Sequence, residues 1–388
     1  MKKTLIYLEE DLLAPKGGPY AVGFFIQDGL KKLNIKDIEF IKKSNTIKKA
    51  VKKSKFANNK FLIKIYRIIK NYKYYNEVLN RAGILKADIN QYAVLHFHKT
   101  QDMYAARNAL RDYKGTVILT SHSPVPLSQE VYSGLNNIEK ILFKKLYSKL
   151  YLMDEYAFKR ADIIHFPCVE SEEPYYKYME NYKQIKSEKK NSYFYLPTGI
   201  IPCFPKRSTK DIRKELGIPY NDFCMCYVGR HNVVKGYGNL KKMGKKLLDQ
   251  SQDNWMIVAG KEEPIKRLNH CHWKEIGFTD DAYSYISASD IFILPNLETY
   301  FDIVMLEVLS LGKIVVASRT GGNKYFEGKS KGIFLYDSID EAITIIKDLK
   351  WMKNEDRKLL EIENKKLFDE NFSNVVYTKR YANFISTL

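Results

Sequence analysis

The chain has 388 residues, 64 Lys and Arg against 45 Asp and Glu, and a formal net charge of +19, with 45% of its residues hydrophobic. That length supports two domains each with its own core, and no apolar run approaches the roughly 20 residues that cross a bilayer. The basic balance is not accompanied by a recognisable nucleic-acid-binding module, so nucleic acid is not expected as a partner.

The N-terminus starts with positive charge as a signal peptide does, but Glu9 and Glu10 interrupt it before an adequate apolar region develops. It reads instead as a strand over Thr4 to Tyr7, followed by a Gly17-Gly18-Pro19 turn and a helix from Tyr20 to Leu33. A further strand is expected at Asp37 to Ile41. From Ile41 to Asn76 twelve Lys or Arg occur without one acid, interleaved with Phe61, Ile65, Ile68 and Ile69. Such a stretch suits an anionic membrane surface or an anionic acceptor; a solvated helix with its apolar side turned to the core has the same pattern. Residues 1–200 hold 35 Lys and Arg against 20 Asp and Glu, so the basic surplus belongs to this half.

Strands follow at Ala93 to His98, Thr116 to Ser121, Asp162 to Phe166 and Tyr193 to Leu196. His96 and His98 share one face of their strand, but no third ligand accompanies them, so no metal site is expected. After Pro197-Thr198-Gly199 the pattern restarts, with a hinge expected near Ile201 to Ser208. Strands are predicted at Cys224 to Val228, Trp255 to Ala259, near Ile276, at Ile291 to Leu294 and at Ile314 to Ala317. Helices are predicted at Leu240 to Leu248, Asp280 to Ala288, Phe301 to Leu311 and, last, Phe372 to Ile385. Ser338-Ile339-Asp340-Glu341 has the form of a capping box. Short apolar strands alternating with helices, in two successive runs, imply an α/β chain of two doubly wound domains with parallel sheets. The five cysteines, at 168, 203, 224, 226 and 271, form no disulfide or metal framework and read as reduced core residues of a cytoplasmic protein.

Two segments carry chemistry. The first reads Tyr-Val-Gly-Arg-His-Asn-Val-Val-Lys-Gly from Tyr227 to Gly236, placing Arg230 and Lys235 after a buried strand. Fixed cations beside helix N-termini make a pocket for a diphosphate; a solvated surface loop is the plainer reading. The second runs Glu-Thr-Tyr-Phe-Asp-Ile-Val-Met-Leu-Glu from Glu298 to Glu307, followed by Gly312, a strand and Gly321-Gly322. Glu307 lies among Val304, Leu306, Val308 and Leu309, where an acid is costly unless it is paired. Carboxylates and hydroxyls here suit sugar hydroxyls, whereas Asp302 has capping of the helix as an equal alternative.

The order and spacing of these segments resemble the retaining glycosyltransferases of family 4, the glycosyl transferases group 1. Gly229-Arg230, Lys235-Gly236, Phe301, Glu307 and Leu311-Gly312 fall in the family's register. The upstream acid departs from it: eight residues before Glu307 stands Thr299, with Glu298 one position early and Asp302 where a glycine is usual. The resemblance implies the GT-B fold, two Rossmann-like doubly wound domains facing a central cleft. It implies an acceptor-side domain over 1–200, a nucleotide-sugar-binding domain over 201–370, and a helix at 371–388 crossing back to the first domain.

It also implies roles. Arg230 and Lys235 would stabilise the leaving diphosphate, and His122, after its strand, would face the donor sugar. Gly17 and Gly18 would approach a phosphate, Glu307 would bind ribose, and Gly229, Glu298, Thr299, Asp302, Gly321 and Gly322 would line the donor. The implied reaction is metal-independent transfer, with retention, from a nucleotide diphosphate sugar to an acceptor hydroxyl. The base lies between uridine and guanosine, with a UDP-sugar favoured, and no cofactor is needed. The expected acceptor is a glycan or lipid-linked saccharide of cell-surface polysaccharide synthesis, met at the inner face of the cytoplasmic membrane. A non-catalytic GT-B subunit binding a glycan or protein partner is the alternative.

Overall fold

A computed structural model describes residues 3–15, 17–42, 88–122, 125–133 and 135–388, together with Ile65, Tyr66, Ile69, Lys70, Tyr72, Lys73, Asn76 and Leu79. Most of the acid-free stretch from Ile41 to Asn76 lies outside the described residues. The chain divides into two compact units. The first is Met1–Phe166, Pro174–Leu196 and Lys379–Leu388; the second is Pro167–Glu173 and Pro197–Thr378.

The first unit holds a six-stranded parallel sheet of β1 (Thr4–Glu9), β2 (Ile38–Ile41), β3 (Val94–Phe97), β4 (Thr116–Thr120), β5 (Ile163–Phe166) and β6 (Tyr193–Tyr195), in the order β2-β1-β3-β4-β5-β6. Val117, Ile118 and Leu119 are all fully buried, which is why β4 reads as a continuous apolar run instead of an alternating one. The order reverses between β1 and β3, so the connections leaving those strands diverge and open a crevice at their carboxyl ends.

The second unit repeats the plan with β7 (Phe223–Val228), β8 (Asn254–Ala259), β9 (Trp273–Gly277), β10 (Ile291–Leu294), β11 (Ile314–Ser318) and β12 (Ile333–Tyr336), in the order β12-β11-β10-β7-β8-β9. Here the reversal falls between β7 and β10. Met225, Tyr227, Met256, Val258, Ile293 and Val316 form one core with Leu240, Met243 and Leu247 of the helix Tyr237–Gln250. Each fully buried Leu or Met contributes about 1.5–3 kcal/mol, and these contacts hold the helix whose start bears on the site. Cys224 and Cys226, at the intervening positions of β7, are buried free thiols.

Two local readings change. Ser338 caps the helix Ile339–Trp351 through the Glu341 amide at 3.1 Å, but the returning Glu341 carboxylate binds the Asp337 amide at 2.7 Å, so the box is displaced by one residue. A reciprocal capping box occurs instead at Asn136 and Glu139, which the sequence reading did not single out. Among the described residues no helix is long and apolar enough to cross a membrane.

Candidate active site

In open α/β sheets ligands bind outside the carboxyl ends of the strands where the order reverses. In the second unit that point is flanked by the loops after β7 and β10. Gly229 and Arg230 continue β7, and the loop closes through the Lys235 amide on Asn232 Oδ1 at 2.8 Å and the Gly236 amide on the Val233 carbonyl at 2.9 Å. Gly236 has φ 64°, and a Cβ there would come within 1.6 Å of the Pro295 carbonyl oxygen. Only glycine allows the two loops to touch.

That contact brings Lys235 Nζ to 2.5 Å from Asp302 Oδ2. The same carboxylate accepts from Asn296 Nδ2 at 2.7 Å and caps the helix Ile303–Ser310 through the Val304 amide at 3.2 Å. Burial opposes ionisation of Asp302, but Lys235, Asn296 and the cap outweigh it and hold the carboxyl below its usual range. Two sequence expectations are refined here. Lys235 is an ion-paired cation, not a second bare one, and Asp302 caps the helix while it holds that cation.

Arg230 is exposed, with no ion pair among the described residues, and lines a hollow of about 600 Å³ with Gly229, Gly260, Lys261 and Phe278. Phe278 is 86% exposed, an unusual state for a phenyl ring and one that leaves a face available for stacking. Glu307 is half-buried and accepts from the Tyr283 hydroxyl at 3.0 Å. Burial pushes its carboxyl up to about 7; the Tyr283 bond and Lys235 oppose this, and the Asp302 charge adds to it.

The remaining positions serve the scaffold around these groups. Glu298 is half-buried and its amide meets the Val234 carbonyl at 3.4 Å; Thr299 is buried and its carbonyl accepts from the Gly322 amide at 3.3 Å. A Cβ on Gly321 or Gly322 would stand 2.0 Å from the Thr299 or Tyr300 carbonyl oxygen, so both glycines are needed for this approach. The Gly321 amide is occupied by the Glu173 carboxylate at 3.0 Å, which also binds Lys324 Nζ at 2.5 Å. No motif points to Glu173, Tyr283 or Asn296, which act through contacts that only the fold creates.

Another hollow, of about 620 Å³, lies among residues at the opposite, amino-terminal ends of the same strands. Its Arg213, Lys313 and Lys350 are already matched by Asp290, Glu361 and Asp253 at 2.9, 2.9 and 2.6 Å. Charge satisfied in this way offers little to an anion, and the carboxyl-end site is the better candidate.

In the first unit, Gly17 and Gly18 open the helix Gly18–Lys32, with Pro19 in its first turn. Lys99, just beyond β3, donates from Nζ to the Tyr20 hydroxyl at 2.9 Å, which puts a cation beside that first turn. His122, two residues beyond β4, is half-buried, and its Nε2 lies 2.6 Å from His98 Nδ1. His96 is bonded through Nδ1 to the Tyr381 hydroxyl at 2.7 Å and through Nε2 to Thr120 Oγ1 at 2.6 Å. Both its nitrogens are therefore taken. Among the described residues no group of three His, Cys, Asp or Glu is arranged to hold a metal ion.

Residues 208–366 match the family described as Glycosyl transferases group 1. A D-inositol 3-phosphate glycosyltransferase of Corynebacterium jeikeium (strain K411) is 29% identical over 155 residues, which is 35% of this chain and 36% of that protein. A putative teichuronic acid biosynthesis glycosyltransferase, TuaC of Bacillus subtilis (strain 168), is 26% identical over 156 residues, 38% of this chain and 40% of that protein. The matched stretch thus spans well under half the length of these relatives. Among solved structures, Anabaena HepE in complex with UDP superposes with a TM-score of 0.62 at 15% identity, covering 100% of both chains. The chain has the GT-B fold, and its residues 208–366 are similar to the glycosyl transferases group 1.

Proposed function

We propose that this chain is a retaining glycosyltransferase that moves a sugar from a nucleotide diphosphate sugar, a UDP-sugar in preference, to a hydroxyl of a glycan acceptor. The observation that carries the reading is the Lys235–Asp302 pair with Glu307 beside it, its carboxyl raised to about 7, in a unit whose β7 ends at Arg230, which has no ion pair among the described residues. The hollow beside Arg230 has room for a nucleoside, and the exposed Phe278 ring offers its base a stacking face. HepE, on the same fold, is described with UDP.

In the proposed reaction the bond from the anomeric carbon to the diphosphate oxygen breaks as the acceptor oxygen bonds to that carbon on the same face. The acceptor proton passes to a leaving phosphate oxygen. Arg230 and Lys235 stabilise the charge that develops on the diphosphate, so a metal ion is not required, while Glu307 accepts from ribose hydroxyls. Gly229, Glu298, Thr299, Asp302, Gly321 and Gly322 shape the donor site, and the roles of His122, Gly17 and Gly18 stay as the resemblance implies them. Purified protein incubated with a panel of UDP- and GDP-sugars in the presence of a chelator should release nucleotide and retain anomeric configuration in the product. A matching nucleotide should also raise the melting temperature, since ligand at 100 times its Kd adds about 2.7 kcal/mol. No turnover and no stabilisation by any nucleotide would favour the non-catalytic subunit.

The acceptor is proposed to be lipid-linked and met at an anionic membrane surface, on a separate observation. The helix Asn137–Leu142 and the start of the helix Lys144–Arg160 expose Ile138, Ile141 and Leu142 at 72%, 77% and 68%, with Lys144, Lys145 and Lys149 also exposed. The acid of this stretch, Glu139, is turned inward onto the Asn136 amide at 2.8 Å. Phe143, Leu146, Leu150 and Met153 fill the core beneath, so the outer aliphatic residues are surplus to packing. Aliphatic side chains ringed by lysines suit shallow insertion into anionic lipid. Ile141→Asp with Leu142→Asp should lower sedimentation with anionic vesicles by about tenfold or more, since each side chain contributes about 1.5–3 kcal/mol when buried. Equal sedimentation with neutral and anionic vesicles, or none with either, would remove the membrane claim and leave sugar transfer standing.

A further inference from the structure

We propose that His98 is a positioning residue for His122: it donates from Nδ1 to His122 Nε2 and holds His122 in the tautomer that carries its proton on Nδ1. β3 and β4 pair in parallel with His96 opposite Ile118 and Phe97 opposite Leu119, and one step beyond that register the chain delivers His98 beside the residues leaving β4. The two nitrogens are 2.6 Å apart, the ring planes differ by 10° and the centroids are 4.9 Å apart. Those three values together describe rings edge to edge in a common plane, with the shared hydrogen on the line between the nitrogens.

Which ring donates follows from the other nitrogens. His98 is 2% exposed, and its Nε2 is buried with no hydrogen-bond partner among the described residues. If His122 were the donor, a neutral His98 would carry its proton on that Nε2, leaving a buried N–H unpaired. If His98 donates, the same atom is a bare lone pair, and buried acceptors without partners are better tolerated than donors. Protonating both nitrogens of either ring is opposed by burial, by the neighbouring histidines and by Lys99, and His122 is held down to about 3.

The second histidine chain of this sheet supplies no alternative partner. His165 Nε2 donates to the Leu196 carbonyl at 3.3 Å, so its Nδ1 accepts from Thr120 Oγ1 at 2.7 Å. Thr120 in turn accepts from His96 Nε2 at 2.6 Å, and the Tyr381 hydroxyl donates to His96 Nδ1. That chain is closed on itself, and His98 is left with His122 alone among the described residues. The consequence is a half-buried His122 that presents an N–H from Nδ1 as a hydrogen-bond donor of fixed direction.

The tautomer stands independently of the proposed reaction; its use in transfer rests on His122 facing the donor sugar. The test is ¹⁵N NMR of histidine-labelled protein at neutral pH, with signals assigned through His98 and His122 variants. Wild type should show His122 with a protonated Nδ1 and a bare Nε2. An imidazole without constraint favours the opposite tautomer, so His98→Phe should move the proton to Nε2 and lower kcat/KM by about tenfold. His98→Asn, whose amide N–H takes the place of Nδ1–H, should restore both. A wild-type His122 protonated on Nε2, or a tautomer unchanged in His98→Phe, would overturn the proposal. If His98→Phe does not fold, the wild-type spectrum still decides it. Should the spectra agree while His122→Ala transfers at the wild-type rate, His98 positions His122 as stated and the donor-facing role of His122 falls.

Discussion

Arg230→Ala is expected to lower sugar transfer by about 10²- to 10³-fold, the scale for losing one preorganised charge stabiliser, while leaving the melting temperature where it is. Arg230 is exposed at a strand end and has no ion pair among the described residues, so nothing in the fold depends on its charge. Lys235→Ala should slow transfer to a similar degree and also destabilise the protein. Its ammonium lies 2.5 Å from Asp302, whose side chain is 7% exposed, and its loss leaves a buried carboxylate held by Asn296 and one backbone amide alone. Breaking a fully buried pair costs about 3–5 kcal/mol, and with Lys235 32% exposed the loss should be about 1–3 kcal/mol. Asp302→Asn separates the two duties of Lys235, because asparagine still caps the helix but releases the ammonium. If Lys235 meets the diphosphate, that variant should bind free nucleotide diphosphate several-fold more tightly, by about 1 kcal/mol. Initial rates and thermal melts of the three variants decide the matter. Wild-type rates in both alanine variants would remove the assigned pocket, and unchanged nucleotide affinity in Asp302→Asn would make Lys235 a structural partner of Asp302.

The strands were legible because a parallel sheet covered on both faces demands continuous apolar segments, and Phe223–Val228, Ile291–Leu294 and Ile314–Ser318 are such segments. Ile333–Tyr336 meets the same rule only in part, because Phe334 is half-buried, and the sequence pattern did not single it out. At the site, motif spacing singled out Arg230, Lys235, Asp302 and Glu307, but the pairing of Lys235 with Asp302 was hidden. Lys235 and Asp302 are separated by 67 positions and meet only because Gly236 lets one loop rest on Pro295. Glu173 reaches Gly321 across 148 positions from the start of the helix Glu173–Tyr178, where nothing in composition marks a carboxylate as the acceptor for that amide. His98 and His122 were each visible at a strand end, yet their bond depends on neighbouring strands in register, a fact that one-dimensional patterning does not contain. Residue types and strand ends are local properties, and ion pairs across crossovers are not.

Glu307→Gln is expected to weaken both the sugar nucleotide and the free nucleotide, and to abolish a pH dependence that wild type should display. Burial raises the Glu307 carboxyl from 4.5 to about 7. The folded state therefore retains this proton after the unfolded state has lost it, so the group's contribution to stability is fully present below about 4.5 and is lost as pH rises toward 7. On the order of 2 kcal/mol is at stake, allowing for the part of the side chain that water reaches. Ligand binding carries the opposite sign. Ribose hydroxyls donate best to the ionised carboxylate, so nucleotide affinity should climb as pH rises through about 7 and level off above it. The terminal phosphate of the nucleotide also ionises near pH 6. Its effect is common to wild type and variant, and the difference between their two curves isolates Glu307. Calorimetric titration of nucleotide at about pH 6, 7 and 8 should give a wild-type affinity that rises by several-fold over the range and a Gln variant that follows the phosphate alone. The same variant should melt higher than wild type at about pH 8, because a neutral amide replaces a carboxylate that the fold ionises at a cost. Parallel affinity curves for the two proteins would confine Glu307 to its bond with Tyr283, whatever its effect on the melting temperature.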